Sequence, residues 1–309
     1  VFLTESDVRG LLRYEDLVPA VERALADLSE GTAVQPLRTV IPVADHRGFL
    51  GVMPAYSGAL GAKLVTFFPE NLGVHTHHAV IVLFGPETGE PLAIMDGRLI
   101  TEMRTGAVSA AATKKLARED ASVLAILGSG VQARSHLEAL RLVRNLLEVR
   151  VWSPRSAKQF AEEFGVRAAE SAEEAVRGAD VIVVATTSQT PVLRGEWLSP
   201  GAHVNAVGAS RPDWRELDDE VLSRARIFVE SREAASRESG DVIAAGRIDA
   251  EIGEVFSGKA PGRTSEKEIT LFKSVGVAVE DLAAADLVYR AATRKETKRE
   301  LSRFGTPPR

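Results

Sequence analysis

A doubly wound parallel α/β sheet, joined to a second α+β domain with a mostly antiparallel sheet, is expected from three features. Strand-like and helix-like segments alternate after residue 122, the pattern of a parallel sheet with helices on both faces. Before residue 100, hairpin signals follow one another without helices between them, the pattern of an antiparallel sheet. Between these halves, an apolar run meets a tight glycine turn and then a helical pattern at residues 122–133. At 309 residues the chain is long enough for two domains that each bury a core.

The glycine turn, Gly128-Ser129-Gly130-Val131-Gln132-Ala133, is a dinucleotide fingerprint in the context that gives it meaning, strand before and helix after. Gly128 permits the turn, Gly130 lets the backbone approach a pyrophosphate, and Ala133 keeps helix and strand close. The helix N-terminus offers free N–H groups and a partial positive charge to the phosphates. Val131, Leu137, Leu140 and Val143 mark the buried stripe of that helix. The half beginning here therefore reads as a Rossmann-type domain.

The second strand, Glu148–Trp152, runs into Ser153-Pro154-Arg155-Ser156. An NAD site places Asp or Glu at this strand end to hold the ribose hydroxyls. Here Ser153, Arg155 and Ser156 suit a 2′-phosphate by charge-assisted hydrogen bonds, so NADP(H) is expected in preference to NAD(H).

In the first half, Thr4 is an N-cap with Asp7 as its partner, and a helix over Tyr14–Ser29 buries Leu17, Val21, Leu25 and Leu28 before Gly31 ends it. Hairpins pair 38–43 with 49–54 and 79–84 with 91–95, and another strand covers 61–68. Arg38 and Arg104 could clamp a carboxylate bidentately, and Lys63 could supply charge or a proton. Lys63 sits in an apolar strand whose burial would lower its pKa into the useful range. His75-x-His77-His78 lacks a carboxylate or cysteine at supporting spacing, so no metal is expected, and His77 is assigned to the substrate pocket. The helix over Thr101–Thr113 is dense in small residues, which permits close packing.

In the second half, a helix covers 155–164, Ser171-Ala172-Glu173-Glu174 opens another as a capping box, and strands follow at 180–184, 203–207, 226–229 and 269–272. Ligands bind such sheets beyond the carboxyl ends of the strands. That rule selects Ala185 and Thr186, then Val207, Gly208 and Ser210, then Ser274. The last long helix, Gly276 to about Thr293, is expected to cross back to the first half.

A net charge of −5 and a pI near 5.8 argue against nucleic-acid or anionic-membrane partners. The one basic cluster, Arg294–Arg299, also carries an acid and reads as a terminal helix. No cysteine is present, which excludes disulfides and thiolate catalysis and fits a reducing cytoplasm. No apolar run reaches membrane-spanning length and the first residues lack a signal-peptide core, so a cytoplasmic protein is expected.

The chain resembles the ornithine cyclodeaminase/mu-crystallin family through Gln35–Val40, His46–Ser57, Lys63–Phe67, Met95–Gly97, Arg104-Thr105, Gly128–Ala133, Gly208–Glu220, Glu238–Asp241 and Phe272–Leu282. The resemblance covers nearly the whole chain. It implies a homodimer of two-domain subunits: a discontinuous substrate-binding and dimerisation domain, 1–118 with 277–309, and an NADP-binding Rossmann domain, 119–276. It places Arg38, Lys63 and Arg104 at the substrate carboxylate and active site, and Thr105 with the glycine turn at the cofactor phosphates.

The resemblance further implies NADPH-dependent reduction of cyclic ketimine carboxylates, of the piperideine- or pyrroline-2-carboxylate type, to cyclic L-amino acids. Ser210 would lie near the ring nitrogen. Ornithine cyclodeaminases and related alanine dehydrogenases carry an aspartate there, and a serine cannot act as a carboxylate base. Imine reduction is thereby favoured over ornithine cyclodeaminase or alanine-dehydrogenase-like activity, and over a non-catalytic binder of the thyroid-hormone type.

Overall fold

The computed structural model describes residues 1–304, with side chains as far as Arg294, so the end of the basic cluster and residues 305–309 lie outside the described residues. The first sheet holds β1 (Phe2–Leu3), β2 (Thr39–Val43), β3 (Gly48–Ser57), β4 (Ala59–Phe67), β5 (His77–Phe84) and β6 (Pro91–Asp96), in the order β1-β6-β5-β4-β3-β2. Every pairing is antiparallel except β1 with β6. Thr4 caps α1 (Glu5–Leu11): its hydroxyl accepts from the Asp7 N–H, and its own N–H reaches the Asp7 carboxylate. Helix α2 (Tyr14–Glu30) buries Leu17, Val21 and Leu25, and left-handed Gly31 ends it.

Register fixes which side chains of this sheet meet. Met53, Lys63, Ile81 and Met95 lie opposite one another on the inner face of β3, β4, β5 and β6. Over that face packs α11 (Ala278–Phe304), which also lies against α2. The helix lies close on the sheet at Gly61, where a Cβ would come within 3.1 Å of Leu282. On the outer face Leu64, Val80 and Ile94 are each at least 40% exposed.

The second sheet is wholly parallel: β7 (Val123–Leu127), β8 (Glu148–Trp152), β9 (Arg167–Ala168), β10 (Val181–Val184), β11 (His203–Ala206), β12 (Ala225–Val229), β13 (Ala250–Glu251) and β14 (Ile269–Lys273). Their order, β13-β12-β14-β11-β10-β7-β8-β9, reverses direction at β7. A crevice opens at such a switch point, outside the carboxyl ends of the strands. The intervening helices are α4 (Val131–Leu140), α5 (Ala157–Phe164), α6 (Ala172–Val176), α7 (Asp219–Arg224), α8 (Arg232–Glu238), α9 (Gly240–Ala245) and α10 (Ile252–Phe256).

Some local expectations change. Helix α4 stops at Leu140, so Val143 falls in the turn beyond it; Val131, in its first turn, is 55% exposed because this end opens on the crevice. Ser171 accepts from the Glu174 N–H, but the Glu174 carboxylate accepts from the Glu170 N–H instead, leaving that capping box half made.

Helix α3 (Arg98–Leu116) joins the halves. Its small residues pack on α4, where a Cβ on Gly106 would collide with Ser135. Polar side chains in this buried seam are paired: His136 with Ser109 and the Gln132 carbonyl, His203 with Thr270 and Asn205, and Asn205 with Thr113. Burial lowers both imidazoles from 6.5, His136 to about 4 and His203 to about 3. Since each folded pKa lies below its unfolded value, the unfolded chain takes protons first as pH falls. Stability from these groups is therefore complete above pH 6.5 and declines below it, by roughly 1.4 kcal/mol per pH unit for each imidazole. Buried carboxyls with raised pKa values act in the opposite sense over this range, so the test is a difference: from pH 7 to 4.5 the thermal stability of a His136→Gln/His203→Gln variant should fall less steeply, or rise more steeply, than that of the parent protein, and identical slopes would refute this account.

Candidate active site

The cofactor side is built on the turn after β7. Gly128 has φ +111°, and a Cβ there would lie 2.2 Å from the Ala185 carbonyl, so conformation and space both require glycine. Gly130 is the N-cap of α4, with extended backbone and no capping side chain, so the first N–H groups of the helix are uncapped. A Cβ on Gly130 would meet no atom within 4 Å. The turn thus presents uncapped donors to open space, which fits a pyrophosphate.

At the end of β8, the Ser129 hydroxyl bonds to those of Ser153 (2.8 Å) and Ser156 (2.7 Å). Arg155 beside them is exposed and makes no ion pair among the described residues. Gln132 is half-buried, and its Oε1 has no partner among the described residues.

Three hydroxyls assigned to the cofactor are committed elsewhere, because a buried hydroxyl needs a protein acceptor. Thr105 donates to the Thr101 carbonyl. Thr186 donates to Glu216 and accepts from the Ser188 N–H. Ser274 donates to Glu230. The N–H groups of Thr186 and Ser274 are bonded as well, to Glu216 and to the Ala206 carbonyl. Ala185, Val207 and Gly208 are half-buried at the carboxyl edge of the sheet. Ser210 is exposed on the loop beyond them and makes no hydrogen bond to the charged cluster described next.

That cluster gathers Arg38, Lys63 and Arg104 with four acids. Lys63 Nζ lies 2.6 Å from Asp281 Oδ2, with the two side chains 2% and 0% exposed. Asp281 also accepts from Arg104 Nε (3.0 Å), and Arg104 Nη1 reaches Glu280 at 2.7 Å. Arg38 binds Glu238 through Nε (3.0 Å) and Nη2 (2.8 Å), and donates to the carbonyls of Val275 and Gly276. Glu230 accepts from the N–H groups of Val275 and Gly276. The Arg104 guanidinium rests on Gly276, where a Cβ would lie 2.5 Å from Nη2.

This corrects the expected bidentate clamp. The Arg38 fork is already filled by Glu238, and Arg104 is held by two acids. Arg38 Nη1 and Arg104 Nη2 are left without hydrogen bonds among the described residues. A guanidinium taken from water needs fixed counter-charges, and those charges hold it in one orientation.

The electrostatics follow from burial. Desolvation lowers Lys63 to about 8, against the opposing pull of Asp281 and with help from Arg104. Desolvation raises Glu280 to about 8, and its Oε1 has no hydrogen-bond partner among the described residues. His77 falls to about 4, chiefly from burial and then from Lys63 and Arg104. Proton affinity near neutrality is thus concentrated where β4 and α3 meet α11.

Sequence reasoning did not assign Glu230, Glu238, Glu280 or Asp281 to the site. The signal for the last two was present: adjacent acids between Val279 and Leu282, in a helix otherwise apolar on its buried side.

Comparison with known proteins places these features. Residues 1–296 match the model of the ornithine cyclodeaminase/mu-crystallin family. The ketimine reductase mu-crystallin of Mus musculus is 52% identical over 302 residues, covering 93% of this chain and 96% of that protein. The solved structure of Thermococcus litoralis Delta(1)-pyrroline-2-carboxylate reductase, in complex with NADH and L-proline, superposes with a TM-score of 0.91 at 42% identity, covering 96% of this chain and 98% of that one. An archaeal alanine dehydrogenase dimer with bound NAD superposes with a TM-score of 0.91 at 39% identity, covering 96% and 97%. The chain belongs to the ornithine cyclodeaminase/mu-crystallin family.

Proposed function

We propose that this protein is a nicotinamide-dependent oxidoreductase that reduces cyclic imine carboxylates to cyclic amino acids. The observation that carries the reading is Arg104, held by two buried acids with Nη2 unspent, beside a lysine whose pKa is about 8. The similarity to a ketimine reductase and to a pyrroline-2-carboxylate reductase, each over more than nine-tenths of the chain, supports it.

The nicotinamide, when bound, supplies the hydride for the imine carbon. The α4 N-terminus would hold its pyrophosphate, and the edge formed by Ala185, Val207 and Gly208 would flank its other half. Arg104 Nη2 and Arg38 Nη1 would grip the substrate carboxylate without reorganising, because their other donors are already fixed.

A protonated imine is the better electrophile, so a site that favours that cation lowers the barrier. Lys63 is placed to exchange the proton, and Asp281 raises its proton affinity against desolvation.

The test is NAD(P)H oxidation with pyrroline-2-carboxylate and piperideine-2-carboxylate, with ornithine and pyruvate plus ammonia as comparison substrates. Turnover with the cyclic imines alone is expected; turnover confined to the open-chain substrates would refute the reading. Arg104→Lys keeps the charge but loses Nη2 and should raise KM for the imine on the order of tenfold or more.

The preference for NADP(H) belongs to the same proposal. No carboxylate ends β8, and the hydroxyls of Ser129, Ser153 and Ser156 meet beside an unpaired Arg155. The solved relatives named above hold NADH and NAD, so the distinction rests on this strand end. Arg155→Asp should move the kcat/KM ratio toward NADH by on the order of tenfold; an unmoved ratio would remove Arg155 from the cofactor site.

We also propose a homodimer that covers the outer face of the first sheet. Leu64, Val80 and Ile94 form an apolar face that no other described element covers, and the alanine dehydrogenase relative is a dimer. Light scattering should give twice the chain mass, and Leu64→Glu/Val80→Glu should halve it. A monomeric parent protein would rule this out.

A further inference from the structure

A second set of buried ionisable groups lies under the carboxyl edge of the parallel sheet, apart from the arginine–lysine cluster. Glu216 is fully buried in the segment that follows the loop after β11. Its Oε1 accepts from both the N–H (2.9 Å) and the hydroxyl (2.6 Å) of Thr186, while Oε2 has no partner among the described residues. A Cβ on Gly208 would lie 2.4 Å from this carboxyl group, so the backbone after β11 rests directly on it.

Two more charges face the same space. Asp241, from α9, accepts from the N–H groups of Glu216 and Leu217, both at 3.1 Å. Lys273, at the end of β14, lies 3.7 Å from Asp241 and donates to the Gly208 and Ala206 carbonyls. Arg215, next in the chain, is turned to Asp219 and the Leu217 carbonyl.

Three loops at the ends of adjacent strands are thus pinned from beneath. The pins are two acids and one lysine, so one negative charge is left over when all three ionise. Lys273 faces both acids, and Glu216 Oε2 and Asp241 Oδ2 are each left without a hydrogen-bond partner among the described residues. Glu216 sits beneath the two loops, after β10 and β11, that close the edge where a doubly wound sheet takes a dinucleotide.

An oxidised nicotinamide ring is cationic and a reduced one is neutral. A carboxylate in a low-dielectric site distinguishes the two, and a carboxylic acid does not. We propose that Glu216 is a positioning residue whose protonation sets the relative affinity for oxidised and reduced cofactor. As a carboxylate it favours the oxidised form, and as an acid it evens the balance toward the reduced form. This rests on the nicotinamide reading above but not on imine reduction. Burial raises Glu216 to about 7, with Lys273 and Thr186 opposing, which puts the change near neutrality.

The experiment titrates the protein with reduced and oxidised cofactor from pH 6 to 8.5, following reduced-cofactor fluorescence directly and the oxidised form by competition. It uses whichever pair, phosphorylated or not, binds more tightly. Protonation of phosphates common to both forms cancels in the ratio of Kd values. Relative affinity for the oxidised form should rise on the order of tenfold across this range. Glu216→Gln should hold the ratio near its low-pH value at every pH. Thr186→Val removes a hydroxyl that stabilises the carboxylate and should shift the midpoint upward.

A flat ratio in the parent protein would overturn the proposal, as would a step unchanged in both variants, which would assign it to Asp241, Lys63 or Glu280. Because no imine is present, failure of the reductase reading leaves this measurement intact. A protein that binds neither cofactor would instead refute the nicotinamide reading.

Discussion

Asp281 is the point on which the two halves of the site depend. One carboxylate, on the last helix, accepts from Arg104 of α3 and pairs with Lys63 of β4. Without it Lys63 would be a buried charge with no ion pair among the described residues, and Arg104 would keep Glu280 alone; an unpaired buried charge is far more costly than a lost surface pair. The same contact seats α11 over the inner face of the first sheet. A demand of the proposed site, two cations held dry and rigid, and an architectural demand, a cover for the sheet, are met by one side chain. Glu280 alongside it gives Arg104 a second anchor and introduces a carboxyl that stays protonated near neutrality.

Much of the framework was legible because it rests on local rules. The glycine turn at 128–130, the alternating strands after it and the hairpins before it follow from backbone permissiveness and from periodicity. Lys63 could be read as buried because its neighbours in the strand are apolar. What could not be read was partnership across long separations. Arg38 meets Glu238, and Arg104 meets Glu280, through packing of elements that no local pattern relates. The arginines were found, but the acids holding them were not, so the expected clamp was drawn with forks that the fold had already filled.

The hydroxyls make the same point. Thr105, Thr186 and Ser274 lie on segments picked out by the strand-end rule, yet each donates to an internal acceptor. The rule locates backbone, and burial then decides what a side chain on that backbone is free to do. Ser129, Ser153 and Ser156 differ because their segment lies nearer the surface, where hydroxyls can share hydrogens among themselves. Sequence reading was therefore better at finding surfaces than at finding free donors.

The place of Asp281 in the chain has a consequence for biosynthesis. It lies 177 residues beyond Arg104. During translation, at about 5–20 residues per second, the first sheet emerges roughly nine to thirty-five seconds before the counter-charge its interior needs. Through that interval the nascent antiparallel half must keep Lys63 and Arg104 hydrated, with its inner face open, and it can close only once the last helix has left the ribosome. The parallel half carries no such debt and can assemble first, so it is the natural template on which the earlier-made half completes itself.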